Sequence, residues 1–349
     1  MKILAVLTVR NEGAFLLEWI AHHRAAGVTD FLVFSNDCQD GTDDMLDQLA
    51  AMGQLTHVRN NPPYGKGGIQ FSAYKQAEKH PLVQSADWLI TLDIDEFVNV
   101  HVGNNTLPAL INALPEASAI TLTWRLFGND GQVRFQDQPM TQTFTKAAPV
   151  IMHWPWRAAM FKTLYKNDGT YRKLGVHRPR QPNSNKVKTA KWFDGEGRQL
   201  DALFTTERIF SPYGRSNYAL AQLNHYALGA MESYVLKADR GRAVHSDDLL
   251  GLDYWSERNF CIDTDRSVLS LSDQTQTTLA QLKSDPKLAQ LHRSSVDWRH
   301  KRFTQLLQQE PFRALFGRLL MTPPSRPLPQ DAARFLAQHA TRATPTPQA

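Results

Sequence analysis

The sequence predicts an α/β fold: a Rossmann-like, doubly wound and mostly parallel sheet with a more helical C-terminal part. Three observations predict it. Between Ile3 and Trp124, apolar runs of strand length alternate with amphipathic helical segments, and that alternation favours parallel strands with helices on both faces. Several runs end in polar clusters, Arg10-Asn11-Glu12, Asn36-Asp37 and Asp93-Ile94-Asp95, and a doubly wound sheet binds its ligands at the carboxyl ends of its strands. After about residue 140 the strand-helix rhythm weakens.

Residues 3–9 form an apolar run suited to a buried first strand. Residues 13–26 carry Phe15, Leu16, Trp19, Ile20 and His23 at helical spacing. Residues 31–35 read as the second strand. Thr42 is placed to cap the next helix, with Asp43 and Asp44 in its first turn, Met45, Leu46, Leu49 and Met52 on its buried stripe and Gly53 at its end. Residues 55–59 suit a third short strand. A flexible loop over residues 65–68 precedes a helix through Gln70, Ala73, Tyr74 and Ala77, which Pro81 stops. Residues 88–92 are the next strand and lead directly into Asp93-Ile94-Asp95-Glu96-Phe97. Ile120, Leu122 and Trp124 alternate with Thr121 and Thr123 in a further strand. Farther on, residues 153–156 and 179–191 read as irregular, 217–242 as mainly helical, and 273–309 as further helices. Residues 322–349 are rich in Pro, Thr, Gln and Ala. They read as a disordered tail with one short helix over 331–340.

A chain of 349 residues with 42% hydrophobic and 21% charged residues has the proportions of a globular protein with a sizeable core. Cys38 and Cys261 each stand alone, which argues against a disulfide framework and fits a reducing, cytoplasmic compartment. The N-terminal apolar run is too short to span a membrane, and Arg10-Asn11-Glu12 follows it in place of a cleavage site. Any membrane association is therefore expected to be peripheral, at the inner face. The net charge of +5 is mild, but residues 157–191 hold ten Lys or Arg against the single acid Asp168. That stretch is either a solvated basic face or an attractor for a diphosphate, an anionic glycan or a lipid headgroup. Nucleic acid is not expected, since no nucleic-acid-binding module is present.

The chemistry centres on Asp93-Ile94-Asp95. Alternate side chains of a strand share a face, so carboxylates two apart address one cation, and hard oxygen ligands suit Mg²⁺ or Mn²⁺. With Glu96, three acids at a buried strand end call for a cation or other partners. Asn11 and Glu12 either hydrogen-bond a nucleotide or cap the following helix. Asp37 suits a base or ribose hydroxyl, whereas Asp40 and Thr42 suit a turn and a cap.

The order Val9-Arg10-Asn11-Glu12, Glu18-Trp19, His22-His23, Gly27-Val28, Asn36-Asp37, Asp40-Gly41-Thr42, Asp87-Trp88 and Asp93-Ile94-Asp95-Glu96-Phe97 resembles the GT-A-fold glycosyltransferases. More narrowly it resembles the family-2-like group related to family 92. Trp124-Arg125-Leu126-Phe127-Gly128-Asn129-Asp130-Gly131 is similar to that group's W-x-x-F-G-x-x-G segment. Asn224-His225-Tyr226, Glu232, Lys237 and Arg240-Gly241 are similar to its later segments.

The resemblance implies a catalytic domain over residues 1–245, with a nucleotide-binding half (1–100) and an acceptor half (101–245). A helical extension (246–321) and the tail (322–349) follow. It implies a metal-dependent transferase, using Mn²⁺ or Mg²⁺, that moves a sugar from a nucleoside-diphosphate donor, UDP-linked by preference, to a glycan or lipid-linked hydroxyl. Surface polysaccharide synthesis is one setting. Asp95 is the expected metal ligand, with Asp93 on ribose or metal-bound water and His225 or His177 as a further ligand. Either histidine serves equally as a packing residue. Arg10, Asn11, Glu12 and Asp37 are expected at the nucleoside. Lys237 and Arg240, three apart on a helix, present one face either to a diphosphate or to solvent. Trp124 offers a face to an acceptor sugar or to the core. Inversion requires a general base, for which Asp130 is the first candidate and Glu96, Glu207 and Glu232 compete. The rival readings are another metal-dependent nucleotide-sugar enzyme, a pyrophosphorylase or nucleotidyltransferase, and a non-catalytic carbohydrate-binding protein. The first lacks its Gly-rich loop, and the second has no use for the acids.

Overall fold

A computed structural model describes residues 1–65, 67–240 and 250–340. Lys66, Gly241, the start of the 246–321 extension and the end of the tail lie outside the described residues. The main sheet holds nine strands among the described residues: β1 (Ile3–Val9), β2 (Asp30–Ser35), β3 (Thr56–Arg59), β4 (Trp88–Leu92), β5 (Glu96–Val100), β6 (Ala119–Leu126), β7 (Phe161–Lys166), β8 (Trp192–Phe193) and β9 (Ala221–His225). Their order is β3-β2-β1-β4-β7-β6-β9-β5, with β8 alongside the start of β6. The sheet is mixed. Strands β1 to β4 run parallel, β7 runs antiparallel to β4 and β6, and β5 runs antiparallel to β9.

Successive residues of β1 divide between two buried layers, as the pleat requires. Ile3, Ala5, Leu7 and Val9 pack with Trp19, Ile20 and Leu46 of helices α1 (Gly13–Ala25) and α2 (Thr42–Ala51). Leu4 and Val6 pack with Ala73 and Tyr74 of α3 (Gly68–Ala77) and with Trp192, while Leu107 and Leu110 of α4 (Leu107–Ala113) join the first layer. This double burial is why the strands read as continuous apolar runs. Strand β6 is buried along its whole length, Thr121 and Thr123 included, so its apolar-polar alternation marks two interior layers and no solvent face.

Two expectations are corrected. Among the described residues of 217–242 the chain first forms β9, and only α5 (Met231–Arg240) is helical. Buried polar residues hide the strand: the Gln222 amide donates to Asn224 Oδ1 at 2.7 Å, and the Asn224 amide donates to the Tyr226 hydroxyl at 3.0 Å. The cap of α2 is also not Thr42. Gly41, at φ +88°, occupies that place, a left-handed conformation that glycine adopts without penalty. Asp40 instead organises the two helix starts, accepting from Gly13 N–H (3.0 Å), Thr42 N–H (2.9 Å) and the Thr42 hydroxyl (2.6 Å).

Helices α6 (Ser272–Lys283), α7 (Pro286–Leu306), α8 (Glu310–Met321) and α9 (Gln330–Ala340) follow. Leu279, Leu282 and Leu288 join the same buried cluster as β1 and α1. Phe303, Leu306, Leu315 and Leu319 enclose α5 with Tyr234 and Val235. Asp239 and Arg302 form a two-pronged pair at 2.9 Å that ties α5 to α7. The C-terminal helices thus back the element that carries Lys237 and Arg240. Both cysteines are free, and no helix among the described residues is long and apolar enough to cross a membrane.

Candidate active site

Register brings the functional residues to one edge. Val9 aligns with Ser35 and Leu7 with Leu92, so the segments after β1, β2 and β4 emerge together. Strand β7 runs the opposite way, which puts its first residues, Phe161 and Lys162, beside the ends of β4 and β6. His225, the last residue of β9, lies across from Glu96 and beside Leu126.

Asp93-Ile94-Asp95 is a turn between β4 and β5 and not part of a strand. The Glu96 N–H donates to Asp93 O at 3.1 Å and closes it. The two carboxylates are therefore not presented by strand alternation, and each meets a different lysine. Lys162 Nζ lies 2.8 Å from Asp93 Oδ2 and 3.4 Å from Glu96 Oε2. Lys237 Nζ lies 2.8 Å from Asp95 Oδ2 and donates to Ala227 O at 2.8 Å. Gln70 donates to Asp93 Oδ1 at 3.2 Å. Glu96 is fully buried; its Oε1 accepts from the Trp124 indole N–H at 2.7 Å and its Oε2 from Asp93 N–H at 2.8 Å.

Burial sets the charge states. It raises the Glu96 carboxyl to about 8, with Asp93 and Asp95 adding to the rise against Lys162. For Asp95, burial is outweighed by Lys237 and His225, which hold the carboxyl well below its usual range. Burial lowers His225, and it lowers His177 to about 4 with Lys162 assisting, so both imidazoles are neutral near neutral pH. The two rings flank Trp124, with centroids 4.2 Å (His225) and 5.6 Å (His177) from the indole. Trp124 is thereby a buried member of the cluster, with two imidazoles against its indole.

Among the described residues no three His, Cys, Asp or Glu side chains gather to hold a metal. The donors that do face each other are Asp95 Oδ1 and His225 Nε2, 3.8 Å apart. An ionised carboxylate and a neutral imidazole are the forms that bind a divalent cation, so this pair fits one as a partial ligand set. Asp93 is turned toward Lys162, and His177 toward Phe161 O at 3.1 Å.

Asn11, Glu12, Asp95, Lys237 and Arg240 line one cavity. Arg240 pairs with Glu12 and also donates to Arg10 O at 2.9 Å, while Arg10 donates to Arg240 O at 3.3 Å. Asn11 and Asp37 both hold positive φ, +56° and +49°. Asn11 Oδ1 accepts from Gln39 N–H at 2.6 Å, and Asp37 accepts from the Tyr64 hydroxyl at 2.9 Å. Of the other acids, Glu232 is buried and occupied: it accepts from Arg134 Nε (2.7 Å) and Phe135 N–H (3.1 Å) and pairs with His300 Nδ1 (2.6 Å). Glu207 is exposed. Asp130 is exposed too, at φ +50°, and does not line the cavity.

A model of glycosyltransferase family 92 matches residues 6–198, more than half of the chain. The chain belongs to glycosyltransferase family 92. The matched segment of the family-92 chain includes Asn11, Glu12, Asp37, Asp93, Asp95, Trp124 and Lys162, whereas His225, Lys237 and Arg240 lie beyond it. A family 92 protein of Oryza sativa subsp. japonica is 26% identical over 143 residues, which is 39% of this chain and 23% of that protein. One of Ricinus communis is 24% identical over 140 residues, 39% of this chain and 25% of that protein. The family-92 chain therefore aligns with about a quarter of the length of these curated relatives. Among solved structures it is similar to glucosyl-3-phosphoglycerate synthase from Mycobacterium tuberculosis, in complex with Mn²⁺, UDP and glucosyl-3-phosphoglycerate. The identity there is 19%, over 36% of this chain and 44% of that one, with a TM-score of 0.24. It is also similar to S. aureus TarS in complex with UDP, at 12% identity over 88% and 92% of the two chains and a TM-score of 0.34. The Rossmann-like α/β fold is evident in the sheet order and register of the family-92 chain itself.

Sequence reasoning missed Lys162, Gln70 and Arg299. Lys162 carried a signal, a lysine inside the apolar strand Phe161-Lys162-Thr163-Leu164-Tyr165. It was counted with the basic surface stretch, yet it is fully buried. Arg299 was detectable as well. His292, Ser295 and Arg299 continue the buried helical spacing of Leu288 and Phe303 on α7, where apolar residues would ordinarily stand.

Proposed function

We propose that this chain transfers a sugar from a nucleoside-diphosphate donor, UDP-linked by preference, to a hydroxyl of a glycan or lipid-linked acceptor, with Mn²⁺ or Mg²⁺. One observation carries the reading. In a family 92 chain, Asn11, Glu12, Asp95, Lys237 and Arg240 line a single cavity at the carboxyl edge of the sheet, where such sheets bind nucleotides. Asn11, Glu12 and Asp37 would take the nucleoside. Lys237 and Arg240 would meet the diphosphate, each exchanging its present carboxylate partner for phosphate oxygens. Asp95 and His225 would hold the divalent cation, which when bound neutralises charge on the leaving diphosphate. Trp124, in contact with His225 and His177 and bonded to Glu96, would hold His225 in place beside Asp95.

The reaction is proposed to invert the anomeric centre, with Asp130 as general base. Of the four candidates, Asp130 and Glu207 are exposed and make no side-chain hydrogen bond or ion pair among the described residues, and Asp130 is preferred because it stands in the Trp124 to Gly131 segment that resembles the family's. Asp130→Asn retaining full turnover would remove it from that role. A role in surface polysaccharide synthesis, peripheral at a membrane, is part of the same proposal.

The test is a thermal-shift titration with UDP, GDP and CDP, each with and without Mn²⁺. Ligand at a hundred times its dissociation constant stabilises by about 2.7 kcal/mol. A metal-dependent shift with one nucleotide, lost in Asp95→Ala, is the expected result and identifies the base. No shift with any of the three would refute the donor site.

A further inference from the structure

The cavity beside Asp95 has a wall that belongs to none of the motifs of the first 245 residues. Trp298 and Arg299 of α7 line it together with Glu12, Asp95, Lys237 and Arg240. Arg299 is only 4% exposed. Its guanidinium lies against two adjacent aromatic rings, 4.5 Å from the centroid of Phe15 and 4.9 Å from that of Phe135, which meet edge to face with centroids 5.4 Å apart. Among the described residues it makes no ion pair and no hydrogen bond, and its Nε is buried without a partner.

The carboxylates that surround it are already taken. Glu12 is held by Arg240, Glu232 by Arg134 and His300, and Asp40 by Gly13 N–H and Thr42. Asp95 and Asp239, also at the cavity, are paired with Lys237 and Arg302. Four of these acids are matched by cations and Asp40 is held by neutral donors, while among the described residues Arg299 makes a direct ion pair with none of the five. Two ring faces attract a guanidinium but only partly offset the loss of its hydration. A buried, unpaired arginine aimed into a cavity is therefore a prepared site for an anion, and its planar fork suits phosphate oxygens.

We propose that Arg299 binds the diphosphate of the donor, so that the C-terminal helix α7 completes a nucleotide site begun by the segments after β1 and β4. This rests on the nucleotide-sugar reading and adds to it a phosphate contact from outside the family-matched segment. Burial and contact with the Phe15 and Phe135 rings restrict the guanidinium before the ligand arrives, so little ordering is needed on binding.

The experiment is calorimetric titration of the full chain with inorganic pyrophosphate, with UDP, GDP and CDP, and with the corresponding nucleosides, all with Mn²⁺. The wild type is compared with Arg299→Met and Arg299→Lys, and the folding of each variant is checked by circular dichroism. The expected result is a tenfold to hundredfold weaker affinity of Arg299→Met for pyrophosphate and for the preferred nucleoside diphosphate, the range for losing charge-assisted hydrogen bonds, with nucleoside affinity unchanged. If Arg299→Met does not fold, Arg299→Lys decides. A severalfold loss confined to the phosphate-bearing ligands supports the proposal, since lysine keeps the charge and loses the fork. Wild-type affinity for pyrophosphate in a folded variant, or an equal loss for nucleoside and nucleoside diphosphate, overturns it. A wild-type chain that binds no phosphate ligand at all instead refutes the donor site on which the proposal rests.

Discussion

Replacing Lys162 with methionine removes the cation shared by Asp93 and Glu96 while keeping most of the side-chain volume. The lysine and Glu96 are both fully buried, so water cannot take over the ammonium's role. Glu96, buried, and Asp93, partly exposed, lose their counter-charge, and Glu96 remains in the interior beside Asp93 and Asp95. Breaking a buried pair from one side costs about 3–5 kcal/mol, a large share of a total stability of about 5–15 kcal/mol. At about 2.1 cal/mol/K per residue, a chain of 349 residues has an unfolding entropy of about 0.7 kcal/mol/K. The melting temperature should therefore fall by about 4–7 °C. Scanning calorimetry of wild type and Lys162→Met at pH 9, where a Glu96 carboxyl raised to about 8 is ionised in the wild type, measures this directly. The double variant Lys162→Met/Asp93→Asn should recover part of the loss, because one repelling charge beside Glu96 is gone. It should not recover all of it, because the Asp93 side chain is 36% exposed and partly hydrated already. A fall below about 1 °C in the single variant would refute the reasoning and mean that the acids are stable without their lysine.

Two further outcomes follow from packing and titration. In Gly13→Ala the new Cβ would lie 2.3 Å from Ser295 Oγ and 2.9 Å from Ser295 Cβ, so urea denaturation should show a loss of about 1–3 kcal/mol, partly regained in Gly13→Ala/Ser295→Gly; additive losses would exclude the clash as the cause. The Asp265 carboxyl is raised by burial but held below its usual range by the stronger effect of hydrogen bonds from Ser267 and Gln222. A depressed carboxyl stabilises above its unfolded pKa of about 3.9 and loses that contribution as pH falls through the lower folded value. Asp265→Asn should therefore flatten the acid-unfolding curve below about pH 4 and lower stability at pH 7; an unchanged curve would show that the carboxylate contributes nothing.

Much of the candidate site's edge was legible because its signals are local. Strands β1, β2 and β4 are apolar runs long enough to be recognised, and the polar residues that follow them stand where the chain must leave the sheet. Glu96, Asp95, Lys237 and Arg240 were each singled out from their neighbours in sequence. What could not be read was which charge answers which. The Asp93-Ile94-Asp95 turn looked like a metal clamp on a strand face, and the structure supplies lysines to both carboxylates. Strand β9 was hidden for a related reason: Gln222 and Asn224 satisfy each other inside the protein, and a local hydropathy pattern cannot separate a satisfied buried amide from an exposed one.

The sequence by itself determined the alternation of strands and helices, the double burial of the sheet and the edge at which polar residues collect. These depend on residues a few positions apart, over which backbone geometry imposes a fixed period. The tertiary structure alone decided the pairing of charges. Lys162 reaches Asp93 across 69 residues, Lys237 reaches Asp95 across 142, and Arg240 reaches Glu12 across 228. Those distances close only because β7 enters the sheet in reverse between β4 and β6, and because α7 and α8 press α5 against the strand ends. Sheet order and helix docking are set by the summed burial of the whole chain, so no single segment records them.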